Sequence, residues 1–166
     1  SGAALSGASA IHINVFGPHP IVVHGTPEQK QRWLVPLIKG EEKACFGVTE
    51  PDAGLNTAAI KTRAVWDGNK YVVNGRKMWT TTAQEAKKIL LLARTTPREE
   101  CKRRMDGISL FYTDLNRDHV EIREIAKMGR KAVDTNALFI DNLPVPKEDL
   151  IGEEGKGFYY LLDGLN

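Results

Sequence analysis

The apolar positions between residues 26 and 40 repeat with the period of a helix. Thr26 is a good N-cap, Pro27 suits the first helical position, and Gln29 stands where a capping box places Glu or Gln. The apolar residues that follow share one helical face: Trp33, Leu34, Leu37 and Ile38. The pattern predicts a helix that begins after Thr26, is bent or interrupted at Pro36 and stops at Gly40.

The two ends of the chain each carry an apolar segment without an obvious partner. Residues 1–25 are small and apolar, which is typical of a close-packed helix broken near Gly17-Pro18. Residues 152–157 form a glycine-rich turn, after which Phe158 begins a second apolar helical pattern. Because both helices need a surface to pack on, the sequence indicates a fragment of a longer protein.

From Ala44 onward, short β-rich runs alternate with turn residues, which predicts an antiparallel β domain. The predicted strands are residues 58–66, 70–74, 77–81, 88–95, 108–113, 120–125 and 138–140. Asp67-Gly68-Asn69 and Asn74-Gly75 favour tight turns, so we expect consecutive hairpins there. Pro144 and Pro146 cannot donate to a sheet and should end the pairing. Residues 96–106 form a charged loop.

Composition and charge restrict the class of protein. The 166 residues are 42% hydrophobic and 27% charged, with a formal net charge of +2. These values are close to the averages of a globular domain and do not suggest nucleic-acid binding. The best apolar run, residues 89–93, is far shorter than the ~18 to 20 residues that a membrane span needs.

Cysteines and histidines give no sign of a metal site. Cys45 and Cys101 lack metal-ligand spacing and favour a reducing compartment, although one bridge between them stays open. The four histidines are scattered without ligand partners: His12, His19, His24 and His119. We therefore expect no metal.

Two segments carry residues suited to ligand binding. Residues 46–54 run from a strand into a turn that can present backbone N–H groups and the Thr49 hydroxyl to a carbonyl-rich ligand. Trp79 and Thr81 are two residues apart in a predicted strand and so point to one face, where an indole beside a hydroxyl could serve a flat heteroaromatic ligand. Taken alone, the alternatives are an ordinary strand-exit turn, and Trp79 in the core with Thr81 on a sheet surface.

The combination of these segments resembles one family, the acyl-CoA dehydrogenases. The resemblance lies in the order and spacing of Val48-Thr49-Glu50-Pro51 with Ala53-Gly54, then Asn74-Gly75-x-Lys77-x-Trp79-x-Thr81. It covers roughly residues 10–166 and implies an α+β fold, an antiparallel β-barrel or sandwich flanked by helical segments. On this basis, residues 1–43 end an N-terminal helical domain, residues 44–152 are the flavin-binding middle domain, and residues 153–166 begin a C-terminal helical domain.

The resemblance also implies a cofactor, FAD, and residues that hold it. Backbone groups and the threonine hydroxyl of residues 46–49 line the flavin, the strand end at residues 79–81 lies against the isoalloxazine, and the turn at residues 53–55 approaches the pyrophosphate. The implied cofactor contacts are Phe46, Val48, Thr49, Gly54, Leu55, Trp79, Thr80 and Thr81. A donor aimed at the reactive part of the ring stabilises charge that develops as hydride arrives, and Thr81 is our choice for it.

The substrate side departs from the family pattern. The family usually has Ser-Asp after Ala-Gly, whereas this chain has Leu55-Asn56, so one hydroxyl contact is lost. Leu55, Asn56 and Asn166 are the implied substrate contacts. The family's catalytic base is a glutamate from the C-terminal helical domain, outside these 166 residues. Glu50 is instead expected to fix its loop through hydrogen bonds to backbone N–H groups.

The implied reaction is α,β-dehydrogenation of an acyl-CoA thioester, a step of fatty-acid oxidation, and the fragment without its base would be inactive. The alternatives are a same-fold flavoenzyme with different chemistry, such as an acyl-CoA oxidase or a flavin monooxygenase, and a non-catalytic β interaction domain. The resemblance implies a homo-oligomer, a dimer or tetramer, with an electron-transfer flavoprotein or oxygen as electron acceptor. The location would be the bacterial cytoplasm or the mitochondrial matrix.

Overall fold

The computed structural model describes residues 16–129 and 132–164, in which seven strands form one curved, mixed sheet. The strands are β1 (Ala44–Gly47), β2 (Arg63–Trp66), β3 (Lys70–Thr81), β4 (Lys88–Arg94), β5 (Ile108–Asp114), β6 (Val120–Glu124) and β7 (Thr135–Pro146). Their order is β1-β4-β2-β3-β7-β6, with β5 paired to β4. The described helices are α1 (His19–His24), α2 (Pro27–Ile38) and α3 (Gly157–Asp163), and the β domain between helical segments confirms the predicted fold class. The expected helix before residue 16 lies outside the described residues.

Helix α2 begins as its sequence predicts. The Thr26 hydroxyl accepts a hydrogen bond from the Gln29 amide at 3.2 Å, and the Gln29 side chain accepts one from the Thr26 amide at 3.0 Å. The expected interruption at Pro36 does not occur, since the helix continues to Ile38. A proline removes only one donor, and the amide of Lys39 still reaches the Val35 carbonyl at 3.1 Å.

The turn predicted at Asn74-Gly75 is wrong, whereas the one at Asp67 is confirmed. The Asp67 amide donates to the Lys70 carbonyl at 3.0 Å and joins β2 to β3 as an antiparallel hairpin. β3 then runs without a turn from Lys70 to Thr81. Asn74 sits at a shift in register with β7, and its side-chain oxygen accepts a hydrogen bond from the Asn142 amide at 2.8 Å. The Asn74 side chain thus bonds to β7 at the point where the shift in register interrupts the backbone pairing.

Three further sequence predictions about strands are wrong. Residues 58–62 are not strand, because a 3-10 turn at Thr57–Ala59 precedes β2. Pro144 and Pro146 do not end pairing, since they lie opposite Val72 and Lys70. β6 pairs only with residues 136–140 of β7, so the missing N–H groups fall where no described strand lies on the other side. The domain is also not wholly antiparallel, because β1 and β2 both pair with β4 in parallel.

Strand β4 is buried along its whole length and divides two hydrophobic cores. Ile89, Leu91 and Ala93 pack into the first core with residues of β3, β5 and β7. Leu90 and Leu92 pack into the second, which receives Ile21 of α1, Trp33 of α2 and Leu161 of α3. The alternation of side chains along one strand therefore attaches all three described helices to one side of the sheet.

Gly157 places α3 directly on the backbone of β5. A Cβ atom at this position would lie 2.2 Å from the Leu110 nitrogen and 2.5 Å from the Ser109 carbonyl carbon. Both contacts are with main-chain atoms, which cannot rotate away. We expect Gly157→Ala to lower the free energy of unfolding by about 1 to 3 kcal/mol, measured by urea denaturation. In the control Gly54→Ala, the added Cβ meets no atom of the described residues within 4 Å. Equal stability of the two variants would contradict this close packing.

Candidate functional site

An apolar pocket of about 150 Å³ lies between the helices and the sheet, beside the end of β3. Its lining includes Phe46 of β1, Leu90 of β4, and both Trp79 and Thr81 of β3. Cys45 also lines it, but burial raises the pKa of this thiol to about 12, so it is unreactive at neutral pH. The pocket brings together three of the residues singled out from the sequence, Phe46, Trp79 and Thr81.

Trp79 occupies a strained position on a bulge in β3. Lys77 pairs with Leu138 and Thr80 pairs with Asn136. β3 thus advances by three residues where β7 advances by two, so β3 contains one extra residue. Trp79 has φ of 62°, which is rare for a bulky side chain and costs on the order of 1–3 kcal/mol. Its indole is 59% exposed. The strain holds a large aromatic side chain out of the core, at the rim of the pocket.

Several hydroxyl groups at and near the pocket have no hydrogen-bond partner among the described residues. The buried hydroxyls of Thr80 and Tyr112 are two of these groups. The half-buried Thr81 hydroxyl also has no hydrogen-bond partner within the described residues. An apolar pocket, an exposed indole and an unpaired hydroxyl together fit a flat heteroaromatic ring that carries hydrogen-bond acceptors. The residues present therefore fit the ring of a flavin.

The other residues singled out from the sequence lie away from this lining. Val48 is buried in the second core, and the carbonyl of half-buried Thr49 accepts a hydrogen bond from the Met78 amide at 2.8 Å. Gly54, Leu55 and Asn56 lie in an exposed turn. Leu55 is fully exposed in this turn. Asn166 lies outside the described residues.

A buried ion pair that the sequence did not predict holds the site together. The ammonium of Lys77, fully buried, donates to Glu50 Oε1 at 2.8 Å and to the carbonyls of Val48 and Leu92 at 3.1 and 2.7 Å. Lys77 thus joins β3, β4 and the segment after β1. No local signal marked Lys77 in the sequence, because its neighbours in β3 are the exposed Arg76 and the half-buried Met78.

Glu50 completes this network with two backbone bonds. It accepts from the amides of Lys61 at 2.6 Å and Thr62 at 3.0 Å, which confirms the structural role expected from the sequence. Burial raises the pKa of Glu50, but the charge of Lys77 and the amide donors outweigh it, so this pKa is lowered. Burial lowers the pKa of Lys77 to about 8, against the opposing effect of Glu50. Both groups are therefore mainly charged at neutral pH.

The part of the chain that the structure describes contains neither a cluster of metal-binding side chains nor a helix that could cross a membrane. No group of three or more histidine, cysteine or acidic residues there could hold a metal ion. None of the described helices has the length and apolar character needed to cross a membrane.

Two family descriptions match the chain. Residues 45–143 match the acyl-CoA dehydrogenase middle domain, and residues 1–41 match the acyl-CoA dehydrogenase N-terminal domain. The matched ranges contain every described residue that lines the pocket except Ala44.

Curated relatives and solved structures of this kind are similar over most of the chain. A short-chain-specific acyl-CoA dehydrogenase of Clostridium acetobutylicum is 40% identical over 136 residues, which is 81% of this chain and 35% of that protein. Subunit CarC of the caffeyl-CoA reductase-Etf complex of Acetobacterium woodii is 33% identical over 160 residues, 94% of this chain and 41% of that protein. The acyl-CoA dehydrogenase structure from Geobacillus kaustophilus has a TM-score of 0.85 at 40% identity, covering 93% of this chain and 40% of that one. The chain thus spans well under half the length of these proteins.

Removing one partner of the buried ion pair should destabilise the protein strongly. We expect Glu50→Gln to lower the free energy of unfolding by about 3 to 5 kcal/mol, because the Lys77 charge would remain buried without its counterion. The matched control is Asp52→Asn, which breaks an exposed pair with Lys61 and should cost about 1 kcal/mol or less. Urea denaturation at pH 7 measures both. Similar losses in the two variants would contradict the importance of the Lys77 pair.

The same pair should make stability depend on acid pH. The pKa of Glu50 in the folded protein lies below its ordinary value of 4.5, so its contribution is complete above that value and is lost as pH falls through the folded pKa. We expect the difference in unfolding free energy between wild type and Glu50→Gln to shrink below about pH 4.5, as Glu50 takes up a proton. A difference that stays constant down to pH 3 would show that Glu50 titrates normally.

Proposed function

Because the chain belongs to the acyl-CoA dehydrogenase family, we propose that it forms the flavin-holding part of an FAD-dependent enzyme that dehydrogenates acyl-CoA thioesters between the α and β carbons. The observation that carries this proposal is the strained, exposed indole of Trp79 beside the unpaired Thr81 hydroxyl at one apolar pocket. Sequence similarity identifies the family, and the pocket supports a cofactor-binding role for Trp79 and Thr81.

We assign the ring of the cofactor to the rim of this pocket. Trp79 covers it, Phe46 bounds it on the side of β1, and the Thr81 hydroxyl donates a hydrogen bond to a ring acceptor. We assign Val48, Thr49 and Thr80 to the support of the segments that carry Phe46, Trp79 and Thr81. When bound there, a flavin would supply the acceptor for the hydride that leaves the β carbon. A fixed donor such as Thr81 stabilises the negative charge that this transfer brings.

The turn at Gly54 to Asn56 is the substrate side of the proposal. Its exposed Leu55 supplies an apolar contact for the thioester and Asn56 a polar one, with Asn166 as a further contact. Gly54 lets the backbone approach the pyrophosphate of the cofactor, because no side chain intervenes.

The proton-removing base is proposed to come from outside these residues. Within the described part of the chain, the pocket lining contains no aspartate or glutamate. Glu50 is committed to Lys77 and two backbone amides, and its lowered pKa makes it a weak base. The chain alone would therefore not catalyse turnover. We place residues 1–43 and 153–166 in the flanking helical domains.

Partners follow from the same proposal. The relative named after an Etf complex supports an electron-transfer flavoprotein as the electron acceptor. Trp79 and Leu55 would be covered by the cofactor, the substrate or a second copy in a homo-oligomer, since the described structure leaves them exposed. The proposed location is the bacterial cytoplasm or the mitochondrial matrix.

A second candidate function is the reverse reaction, reduction of an enoyl-CoA. The relative from Acetobacterium woodii is named a caffeyl-CoA reductase subunit, which favours it. The pocket residues proposed above would serve either direction, because the same hydride passes between the same two atoms.

The proposal is tested by the visible spectrum of the intact protein, recorded anaerobically before and after addition of acyl-CoA thioesters of graded length and branching. We expect a bound flavin that bleaches with at least one saturated thioester. A flavin that bleaches only in the presence of reductant and is reoxidised by enoyl-CoA would support the reverse reaction. A colourless protein that takes up no added FAD would overturn the proposal.

The role of Thr81 is tested by removing its hydroxyl. We expect Thr81→Val to slow flavin reduction by about 100-fold, because loss of one donor to a developing negative charge has effects of this size. Stopped-flow absorbance under anaerobic conditions measures the rate. Thr81→Ser keeps the hydroxyl and should retain a rate close to that of wild type. Equal rates for valine and serine would show that the hydroxyl has no part in the reaction.

A further inference from the structure

Thr81 lies between two residues with a strained backbone. Trp79 has φ of 62°, and Thr82, the first residue after β3, has φ of 63°. Threonine is branched at Cβ, so a left-handed backbone is an outlier for it and persists only where the surroundings hold it in place. Thr82 has no part in the proposed cofactor contacts, and its strain therefore calls for a separate explanation.

The Thr82 hydroxyl joins two backbone segments of the pocket lining. It donates to the carbonyl of Thr81 at 2.6 Å and to that of Ala44 at 3.3 Å, so its single proton is shared between two acceptors. Ala44 begins β1, two residues before Phe46, and both Ala44 and Thr81 line the pocket. The hydroxyl thus connects the end of β3 to the start of the strand that carries Phe46.

The turn that follows Thr82 is anchored in the first hydrophobic core. The Thr82 carbonyl accepts hydrogen bonds from the amides of Glu85 at 3.2 Å and Ala86 at 3.0 Å. Ala83 and Ala86 are buried in the first core with residues of β4 and β5. The left-handed backbone at Thr82 therefore leads β3 directly into a turn whose position is fixed by packing.

Two residues that are distant in the sequence clamp the same turn. Arg117, in the loop between β5 and β6, donates to three of its carbonyls at 3.1, 2.8 and 3.3 Å: those of Ala83, Gln84 and Ala86. Asp134 accepts a hydrogen bond from the Gln84 amide at 3.1 Å. With these contacts in place, the backbone beyond Thr81 cannot relax without breaking several hydrogen bonds at once.

We propose that Thr82 is a positioning residue that directs the Thr81 hydroxyl into the pocket. The Thr81 hydroxyl has no hydrogen-bond partner within the described residues, so its direction depends on the backbone that carries it. That backbone is held by pairing with Thr135 of β7 and by the Thr82 hydroxyl on the Thr81 carbonyl. A fixed backbone restricts the rotamers that a side chain can adopt. The inference rests on the proposed function, because a flavin ring supplies the acceptor for Thr81.

The test separates the Thr82 hydroxyl from the strain of its backbone. Thr82→Val removes the hydroxyl and keeps the branched shape, whereas Thr82→Ser keeps the hydroxyl. Thr82→Gly removes the hydroxyl together with the strain, because glycine adopts φ of 63° readily, so this variant should fold even where valine does not. The matched control is Thr95→Val, at a half-buried threonine whose hydroxyl bonds to Ser109 at 2.8 Å, outside the described lining of the pocket.

The first measurement is the anaerobic rate of flavin reduction in the intact protein. We expect Thr82→Val and Thr82→Gly to slow reduction by about tenfold, because a displaced donor loses part of its effect on the developing charge. Thr82→Ser and Thr95→Val should stay within about twofold of wild type, and so should Thr82→Gly relative to its parent when Thr81 is already valine. A tenfold loss in both backgrounds would overturn the proposal, because Thr82 would then act independently of Thr81.

The second measurement needs no flavin. The rotamer of Thr81 in the intact protein is obtained from three-bond couplings of its ¹³C-labelled methyl group. We expect one dominant rotamer in wild type, Thr82→Ser and Thr95→Val, and a mixture in Thr82→Gly. The same single rotamer in Thr82→Gly would overturn the proposal.

The positioning role and the enzyme can fail separately. A mixture of Thr81 rotamers in Thr82→Gly, in a protein that takes up no flavin, would support the positioning role and overturn the enzyme. Flavin reduction by acyl-CoA at equal rates in wild type and Thr82→Gly would support the enzyme and overturn the positioning role.

Discussion

The arrangement of the site depends on one buried charge, the ammonium of Lys77. It sits where β3, β4 and the segment after β1 meet, and it bonds to one carboxylate and two carbonyls. A buried ammonium requires all of these partners at once, so the three segments can adopt only one mutual position. Trp79 follows Lys77 by two residues, and the turn toward Leu55 follows Glu50 by a few. The ion pair therefore fixes the separation of the proposed cofactor and substrate sides.

The strain at Trp79 is tolerated because its surroundings are over-determined. The bulge is bounded by Lys77 on one side and by the pairing of Thr80 with Asn136 on the other. The Asn136 side chain also donates a hydrogen bond from Nδ2 to the Thr80 carbonyl at 3.0 Å. With both ends anchored, the inserted residue has no lower-energy arrangement to relax into, and its indole stays outside the core. Rigidity around the bulge is thus what makes an exposed aromatic ring available.

The sequence predicted correctly those structures that depend on interactions between residues close together in the chain. The capping box at Thr26 and the hairpin at Asp67 depend on residues within four positions of each other, and both form as predicted. The turn predicted at Asn74 is wrong, because the Asn74 side-chain oxygen accepts a hydrogen bond from the backbone N–H of Asn142, 68 residues away. The parallel direction of β1 and β4 was also not predicted, because this pairing joins strands that are separated in the sequence by β2 and β3. The structural role of Lys77 could not be predicted because two of its three partners are backbone carbonyls and the third, Glu50, lies 27 residues away in the sequence.

The burial of β4 has a consequence for how the pocket can adapt. β4 is bonded on one side to β1 and on the other to β5, and its side chains fill two cores. Its amide protons should exchange with solvent only when the whole domain unfolds. Leu90 therefore gives the pocket an immobile wall, whereas Trp79 in the same lining is exposed. Ligands of different shape would then be accommodated by rotation of the Trp79 side chain rather than by movement of β4.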